Sequence, residues 1–267
     1  METSIVLFGN NGMLGTYINK VLSNSFNITL IKRETYDVLK NSKEELEELF
    51  KKFNSNSIII NCIGLIPQTK EIEHIKYLKI NSIFPKVLSI LCIKYNFKMI
   101  HITTDCVFSG KKGLYNENDI KDELNIYGLS KAFGEDISAT IIRTSIIGEQ
   151  RNKNYLSLLE WLKSNSNKQV YGYINHYWNG LTCLQLAKII EEIIIKKNFW
   201  NGVRHIYSNN ISKYNLLKII NDVYNLNVDI IPLSHINTID KTLTSIYTNL
   251  NDIDIKTQIE ELNKFQF

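Results

Sequence analysis

Short runs of β-branched and other apolar residues alternate with stretches of helical period through the first half of the chain. Residues 4–8, 28–31, 57–61, 98–103 and 140–144 have the length and composition of buried strands. Between them, residues 14–22, 43–53, 71–96 and 126–137 carry the spacing of apolar positions that predicts helices. Pro85 falls inside the third of these stretches and predicts a second helix opening there. Strands joined by helices predict parallel βαβ units, hence an α/β, Rossmann-like doubly wound parallel sheet. The second half is looser. It predicts helices at 154–164, 182–197 and 212–224, and strands at 168–171, 203–207 and 228–231. With 3 prolines and no repeat or linker, the halves read as interleaved lobes of one unit.

The first strand runs directly into Gly9-Asn10-Asn11-Gly12-Met13-Leu14-Gly15, which opens the first helix. Glycines at this junction let the chain turn tightly, bring bare backbone to a pyrophosphate and pack helix against strand. The second strand ends Ile31-Lys32-Arg33-Glu34. Two cations there suit an adenosine 2′-phosphate better than a free hydroxyl, which favours NADPH, while Glu34 keeps NADH open. Residues 1–145 therefore read as an NADP-binding Rossmann domain. Residues 146–267 read as mainly a smaller C-terminal α/β substrate lobe, with segments returning to the first domain.

Tyr127 and Lys131 stand four residues apart on a predicted helix and so share a face. The cation favours the phenolate, which predicts a lowered tyrosine pKa and proton exchange near neutral pH. Just upstream, a strand ends His101-Ile102-Thr103-Thr104-Asp105-Cys106, at the edge where doubly wound sheets bind ligands. Thr104 has a hydroxyl to offer a carbonyl oxygen. Asp105 is read as capping the following turn, and His101 as a buried, satisfied histidine.

Composition narrows the setting. The 267 residues carry 31 basic and 27 acidic side chains, and no basic block marks a nucleic-acid arm. The 4 cysteines form no CxxC pair, so neither a metal site nor a disulfide framework is indicated. No apolar stretch is long enough to span a bilayer, and the opening strand is too short for a signal peptide. A cytoplasmic setting is the expectation.

Together these residues resemble the extended short-chain dehydrogenase/reductase superfamily. They are most similar to dTDP-4-dehydrorhamnose reductases and related nucleotide-sugar reductases. The matching pieces are the glycine turn at 9–15, Asn61-Cys62-Ile63-Gly64, Asn81 and the run from Thr103 to Gly110. They continue through Tyr115 with Glu117, Tyr127 to Lys131 with Gly134-Glu135, and Arg143-Thr144-Ser145. The resemblance implies that Thr104, Tyr127 and Lys131 are catalytic. It implies cofactor contacts from Gly9, Asn11, Gly12, Met13, Leu14, Lys32, Arg33, Cys62, Ile63, Gly64, Thr103 and Lys131. It implies substrate contacts from Thr104, Asp105, Cys106, Val107, Tyr127, Arg151, Tyr177 and Trp178. Arg143, Arg151 and Lys153 are the cations available to a nucleotide diphosphate.

The implied reaction is NADPH-dependent reduction of the C4 keto group of a nucleotide-linked 6-deoxy-4-hexulose. Cys106, Ile146 and His176-Tyr177-Trp178-Asn179-Gly180 depart from the family pattern on the substrate side. They resemble a branch acting on UDP-linked 2-acetamido sugars. A nucleotide-sugar epimerase and a non-catalytic NADP-binding regulatory subunit are the alternatives. Retention of Thr104, Tyr127 and Lys131 weighs against the latter. Pairing into a homodimer stays open.

Overall fold

The structure, a computed structural model, describes residues 3–67, 73–150 and 157–266. In chain order the first half comprises β1 (Ser4–Phe8), α1 (Met13–Leu22), β2 (Asn27–Ile31), α2 (Lys43–Phe50), β3 (Ser57–Asn61) and α3 (His74–Tyr77). A π-helical segment (Leu78–Ile83) leads into α4 (Phe84–Tyr95), β4 (Lys98–Thr104), a 3₁₀ turn (Asp105–Val107), α5 (Ile126–Gly134) and β5 (Thr140–Thr144). The second half comprises β6 (Ile146–Ile147), α6 (Leu158–Ser164), β7 (Gln169–Tyr173), β8 (His176–Trp178), β9 (Leu181–Thr182) and α7 (Cys183–Ile195). It ends with β10 (Gly202–His205), β11 (Ile211–Ser212), α8 (Lys213–Tyr224), β12 (Asp229–Leu233), β13 (Ile239–Asp240) and α9 (Ile255–Lys264).

Six parallel strands form the main sheet in the order β10-β5-β4-β3-β1-β2. Every residue of β1, β3 and β5 is buried, as expected where helices cover both faces of a parallel sheet. β2 alternates exposed and part-buried residues because it is an edge. Alternate side chains of the strands enter two cores. Ile5, Leu7, Ile60, Ile100 and Ile142 meet α1 and α7 on one face. Val6, Phe8, Ile59, Met99 and Ile141 meet α2 and α4 on the other.

The predicted strand 203–207 is β10, and it pairs in parallel with β5 at the end of the main sheet. The predicted helices end earlier than the pattern suggests: 43–53 stops at Phe50 and 126–137 at Gly134. Residues 182–197 become Cys183–Ile195, with the Thr182 side chain capping the first turn. Pro85 stands in the first turn of α4, as predicted, but the π-helical segment runs into that helix without a break. Helix α9 was not predicted; Ile255, Ile259 and Leu262 lie on its buried side. Part of 154–164 lies outside the described residues; the remainder forms α6.

Candidate active site

β1 lies between β2 and β3, so the chain leaves β1 in opposite directions on its way to its two neighbours. In doubly wound sheets ligands bind outside such a switch point, here at the C-terminal ends of β1 and β3. Gly9 closes β1 with φ +83, and a Cβ there would meet the Cys62 carbonyl carbon at 2.8 Å. A Cβ on Gly15 would stand 2.1 Å from the Gly9 oxygen. The glycine turn is therefore drawn tight between strand and helix. Gly12 caps α1 without a side-chain hydrogen bond, and no acid sits in the first turn. The free N–H groups and the helix dipole there suit a pyrophosphate. Lys32 and Arg33 are both exposed just past the end of β2. Arg33 lies 3.8 Å from Asp37 and leaves its side chain 77% exposed, open to a phosphate. These residues fit a dinucleotide.

The turn after β3 is held from two sides. Asn61 Oδ1 accepts from the Ile63 N–H at 3.1 Å. Asn81, inside the π-helical segment, accepts from the Leu65 N–H at 2.8 Å. Its Nδ2 donates to the Leu65 carbonyl and to Ser130 Oγ, both at 3.0 Å. One side chain thus ties the Cys62–Leu65 turn to α5. A π-type turn displaces its residues relative to an α-helix, which is why such segments recur at functional sites. A Cβ on Gly64 would lie 3.0 Å from Lys131 Nζ, so the ammonium sits against this turn.

Tyr127 lies beside Thr104 and Cys106, and Lys131, against the turn after β3, interacts electrostatically with the same cysteine. Thr104 ends β4, and its Oγ1 accepts from the Cys106 N–H at 3.1 Å and donates to Asp105 Oδ1 at 3.1 Å. The Thr104 hydroxyl lies close enough to Tyr127 to act on its phenol. Asn125 caps α5 by accepting from the Gly128 N–H at 2.8 Å. Gly128 lets the helix close on the 3₁₀ turn, since a Cβ there would come within 2.6 Å of the Cys106 carbonyl oxygen. Tyr127 is carried beside Cys106 by that approach.

Burial dominates the electrostatics. It pushes the Tyr127 phenol well above the ordinary tyrosine range, and the neighbouring Cys106 adds to the rise, while the Thr104 hydroxyl opposes it. The expectation that Lys131 lowers the tyrosine is therefore corrected. Burial instead takes Lys131 down to about 8, with Glu135 opposing. His101 is wholly buried, with Nδ1 3.1 Å from Asn61 Nδ2, and burial takes it down to about 3. Its Nε2 has no partner, so it is neutral but only half satisfied.

Several expected residues are placed otherwise. The turn is capped by the Thr104 hydroxyl, with Asp105 accepting from that hydroxyl. The Val107 side chain is buried in a small core with Phe108, Tyr115 and Leu243 rather than lining the site. Trp178 is 3% exposed and packs in the main core, which does not suit stacking on a ligand; Tyr177 is 39% exposed. Thr103 points its hydroxyl at Glu135, 2.9 Å away. Arg143 is buried and bonded to Glu135 and His205, so it is not available to a diphosphate. Arg151 and Lys153 lie outside the described residues.

Burial pushes the Cys106 thiol up to about 12, which leaves it no nucleophilic character. Lys213 and Lys241 were not predicted from sequence; both act electrostatically on Asp105. Nothing in the local pattern singles them out, because they reach the site from the far end of the chain. Among the described residues, no cluster of histidine, cysteine and acid side chains could hold a metal, and no helix is long and apolar enough to cross a membrane.

Residues 3–260 match the model of the RmlD substrate binding domain. The chain belongs to that family. It is 27% identical over 214 residues to a dTDP-4-dehydrorhamnose reductase of Aggregatibacter actinomycetemcomitans, covering 75% of this chain and 72% of the relative. The fold is similar to that of a dTDP-4-dehydrorhamnose reductase from Bacillus anthracis solved with NADP. That similarity has a TM-score of 0.82 at 19% identity and covers 98% of this chain and 99% of the other. A dTDP-glucose 4,6-dehydratase from the same organism, solved with NAD, gives 0.73 at 15% identity, over 98% of this chain and 96% of the other.

Proposed function

We propose that this chain is an NADPH-dependent oxidoreductase that reduces the C4 keto group of a nucleotide-activated 6-deoxy-4-hexulose. The observation that carries the reading is Tyr127 beside Thr104 at the end of β4, with Lys131 against the turn after β3. Membership of the RmlD family and the similarity to dTDP-4-dehydrorhamnose reductases support the substrate class. Residues 1–145 serve mainly the cofactor and 146–267 mainly the sugar nucleotide, with β10 returning to the main sheet.

NADPH supplies the hydride when bound. Tyr127, kept protonated by burial, holds a proton ready for the oxygen that becomes an alkoxide. Thr104 adds a hydrogen bond to that oxygen once its hydroxyl turns from Asp105. Lys131 places a positive charge next to the turn after β3, where it can hydrogen-bond a ribose. Cys106 follows Asp105 where elimination chemistry would need a second acid, which disfavours a dehydratase.

The base and the C2 substituent distinguish dTDP-linked from UDP-linked 2-acetamido substrates. The departures at Cys106, Ile146 and Tyr177 support the second. The test is incubation with NADPH and a panel of dTDP- and UDP-4-keto-6-deoxy sugars, following absorbance loss and identifying products. Stoichiometric NADPH consumption supports reduction. Sugar interconversion without it supports an epimerase instead.

A further inference from the structure

Glu123 stands where three pieces of the chain meet. Its backbone N–H donates to the Val107 carbonyl at 3.1 Å, which fastens it to the 3₁₀ turn that follows Thr104. Its Oε1 accepts from the N–H groups of Leu124 at 2.9 Å and Asn125 at 3.1 Å, the residues that lead into α5. Asn125 in turn caps the first turn of α5, where Tyr127 lies. The other carboxylate oxygen, Oε2, lies 3.4 Å from Lys241 Nζ. The two side chains are only 18% and 21% exposed, so water screens this pair less than it does an ion pair on the open surface.

Lys241 belongs to the segment that returns from the substrate lobe after β13. That segment is laid along the loop preceding Glu123. The Asp240 N–H donates to the Gly110 carbonyl at 2.7 Å, and the Tyr115 N–H to the Thr242 carbonyl at 2.9 Å. The Leu114 N–H donates to Thr242 Oγ1 at 3.0 Å. On the opposite side, the Lys241 N–H donates to the Tyr177 carbonyl of β8 at 3.3 Å. One lysine is thus tied to β8 through its backbone and to the start of the Tyr127 helix through its ammonium.

We infer that Glu123 is a positioning residue for Tyr127, and that Lys241 latches it in place from the substrate lobe. This rests on the reductase reading above. Glu123 holds the start of α5 against the turn after Thr104, which sets the separation of the phenol from the threonine hydroxyl. Lys241 makes that separation depend on how segment 239–244 is seated. Neither side chain has to touch the sugar or the cofactor. A displacement of about 1 Å at a reacting group can cost on the order of 100-fold in rate, so a latch that adds little to stability can still govern turnover.

The test uses wild type, Lys241→Met, Lys241→Arg, Glu123→Gln and the double variant Glu123→Gln/Lys241→Met, with the 4-keto-6-deoxy sugar nucleotide that wild type reduces fastest. Glu123→Gln keeps an oxygen for the Leu124 and Asn125 N–H groups and removes only the charge. NADPH affinity, read by fluorescence titration, reports that each variant is folded. Lys241→Met and Glu123→Gln should each slow single-turnover NADPH oxidation at saturating sugar nucleotide by about 10-fold or more. KM for the sugar nucleotide and NADPH affinity should stay within about twofold of wild type. Lys241→Arg, which keeps the charge, should stay within about threefold of the wild-type rate. The double variant should be no slower than the slower single one, because both changes break the same contact. A loss confined to KM would make Lys241 a direct substrate contact and overturn the latch. Unchanged single-turnover rates, or losses that multiply in the double variant, would overturn it too, and all three outcomes leave the reductase reading intact. Failure of wild type to oxidise NADPH with any sugar nucleotide would bring down the reductase reading and the latch with it.

Discussion

Arg143 grips both carboxylate oxygens of Glu135, with Nε donating to Oε1 at 3.0 Å and Nη2 to Oε2 at 2.5 Å. Glu135 caps the C-terminus of α5, the helix that carries Tyr127 and Lys131. The pair is almost fully buried and also takes the Thr103 hydroxyl, so it ties the catalytic helix to the ends of β4 and β5. Glu135→Gln leaves a buried guanidinium short of a charge partner. The expected loss is about 3–5 kcal/mol of stability, read by denaturant titration. A loss of under about 1 kcal/mol, the scale of a surface pair, would show that the pair does not anchor the helix.

The same arginine sets an acid limit. His205 Nε2 lies 2.7 Å from Arg143 Nη1, and its Nδ1 faces the carbonyls of Thr244 at 2.7 Å and Tyr115 at 3.1 Å. A guanidinium only donates and a carbonyl only accepts, so the ring is neutral with its proton on Nδ1. Burial first, and then Arg143, lower its pKa. A base whose folded pKa is depressed resists the proton that the unfolded chain accepts, so stability falls as pH drops through and below the ordinary histidine value near 6.5. His205→Gln, an uncharged stand-in, should flatten the melting temperature between about pH 5 and 7. An unchanged slope would place the acid limit elsewhere.

Lys131 shows the same sense of linkage, in a window at higher pH. Its folded pKa of about 8 lies below the ordinary lysine value of 10.5. Between those values the unfolded chain binds more protons, so stability rises with pH across that window, and the burden of the buried charge is present below it. Lys131→Met should therefore raise stability by on the order of 1–3 kcal/mol at pH 7 while abolishing turnover. In wild type, kcat/KM for reduction should fall above about pH 8 as the charge is lost. A variant both less stable and fully active would contradict both halves.

Gly128 tests the placement of the tyrosine rather than its chemistry. A Cβ at this position would press on the Cys106 carbonyl oxygen at 2.6 Å and on Glu123 Cγ at 2.4 Å. Gly128→Ala should lift the start of α5 from the 3₁₀ turn and cut kcat by about 10-fold or more, with NADPH affinity little changed. Unaltered kcat would mean that the helix does not need this close approach.

What the sequence made legible was local. The glycine turn, the strand ending at Thr104 and the spacing of Tyr127 and Lys131 are each set within a few residues, and each stands where the pattern predicts. Tertiary facts were not legible. The burial of Trp178 and Val107 depends on segments far along the chain, and so does the commitment of Arg143 to Glu135 and His205. Lys213, which acts electrostatically on Asp105, stands at the start of α8, far along the chain. The direction of the Tyr127 shift was misread for a related reason: spacing on a helix reports a neighbouring charge, but the degree of burial is set by everything packed around it. Helix α9 did carry a readable signal, with Asp254 as its cap, but its few apolar positions make the pattern faint.

The most direct test of the central claim is single-turnover oxidation of NADPH by wild type and Tyr127→Phe with a 4-keto-6-deoxy sugar nucleotide. Removing only the phenolic hydroxyl should slow the chemical step by roughly 100-fold or more and leave NADPH binding intact. A Tyr127→Phe rate within about threefold of wild type would contradict the assignment of Tyr127 as the proton donor.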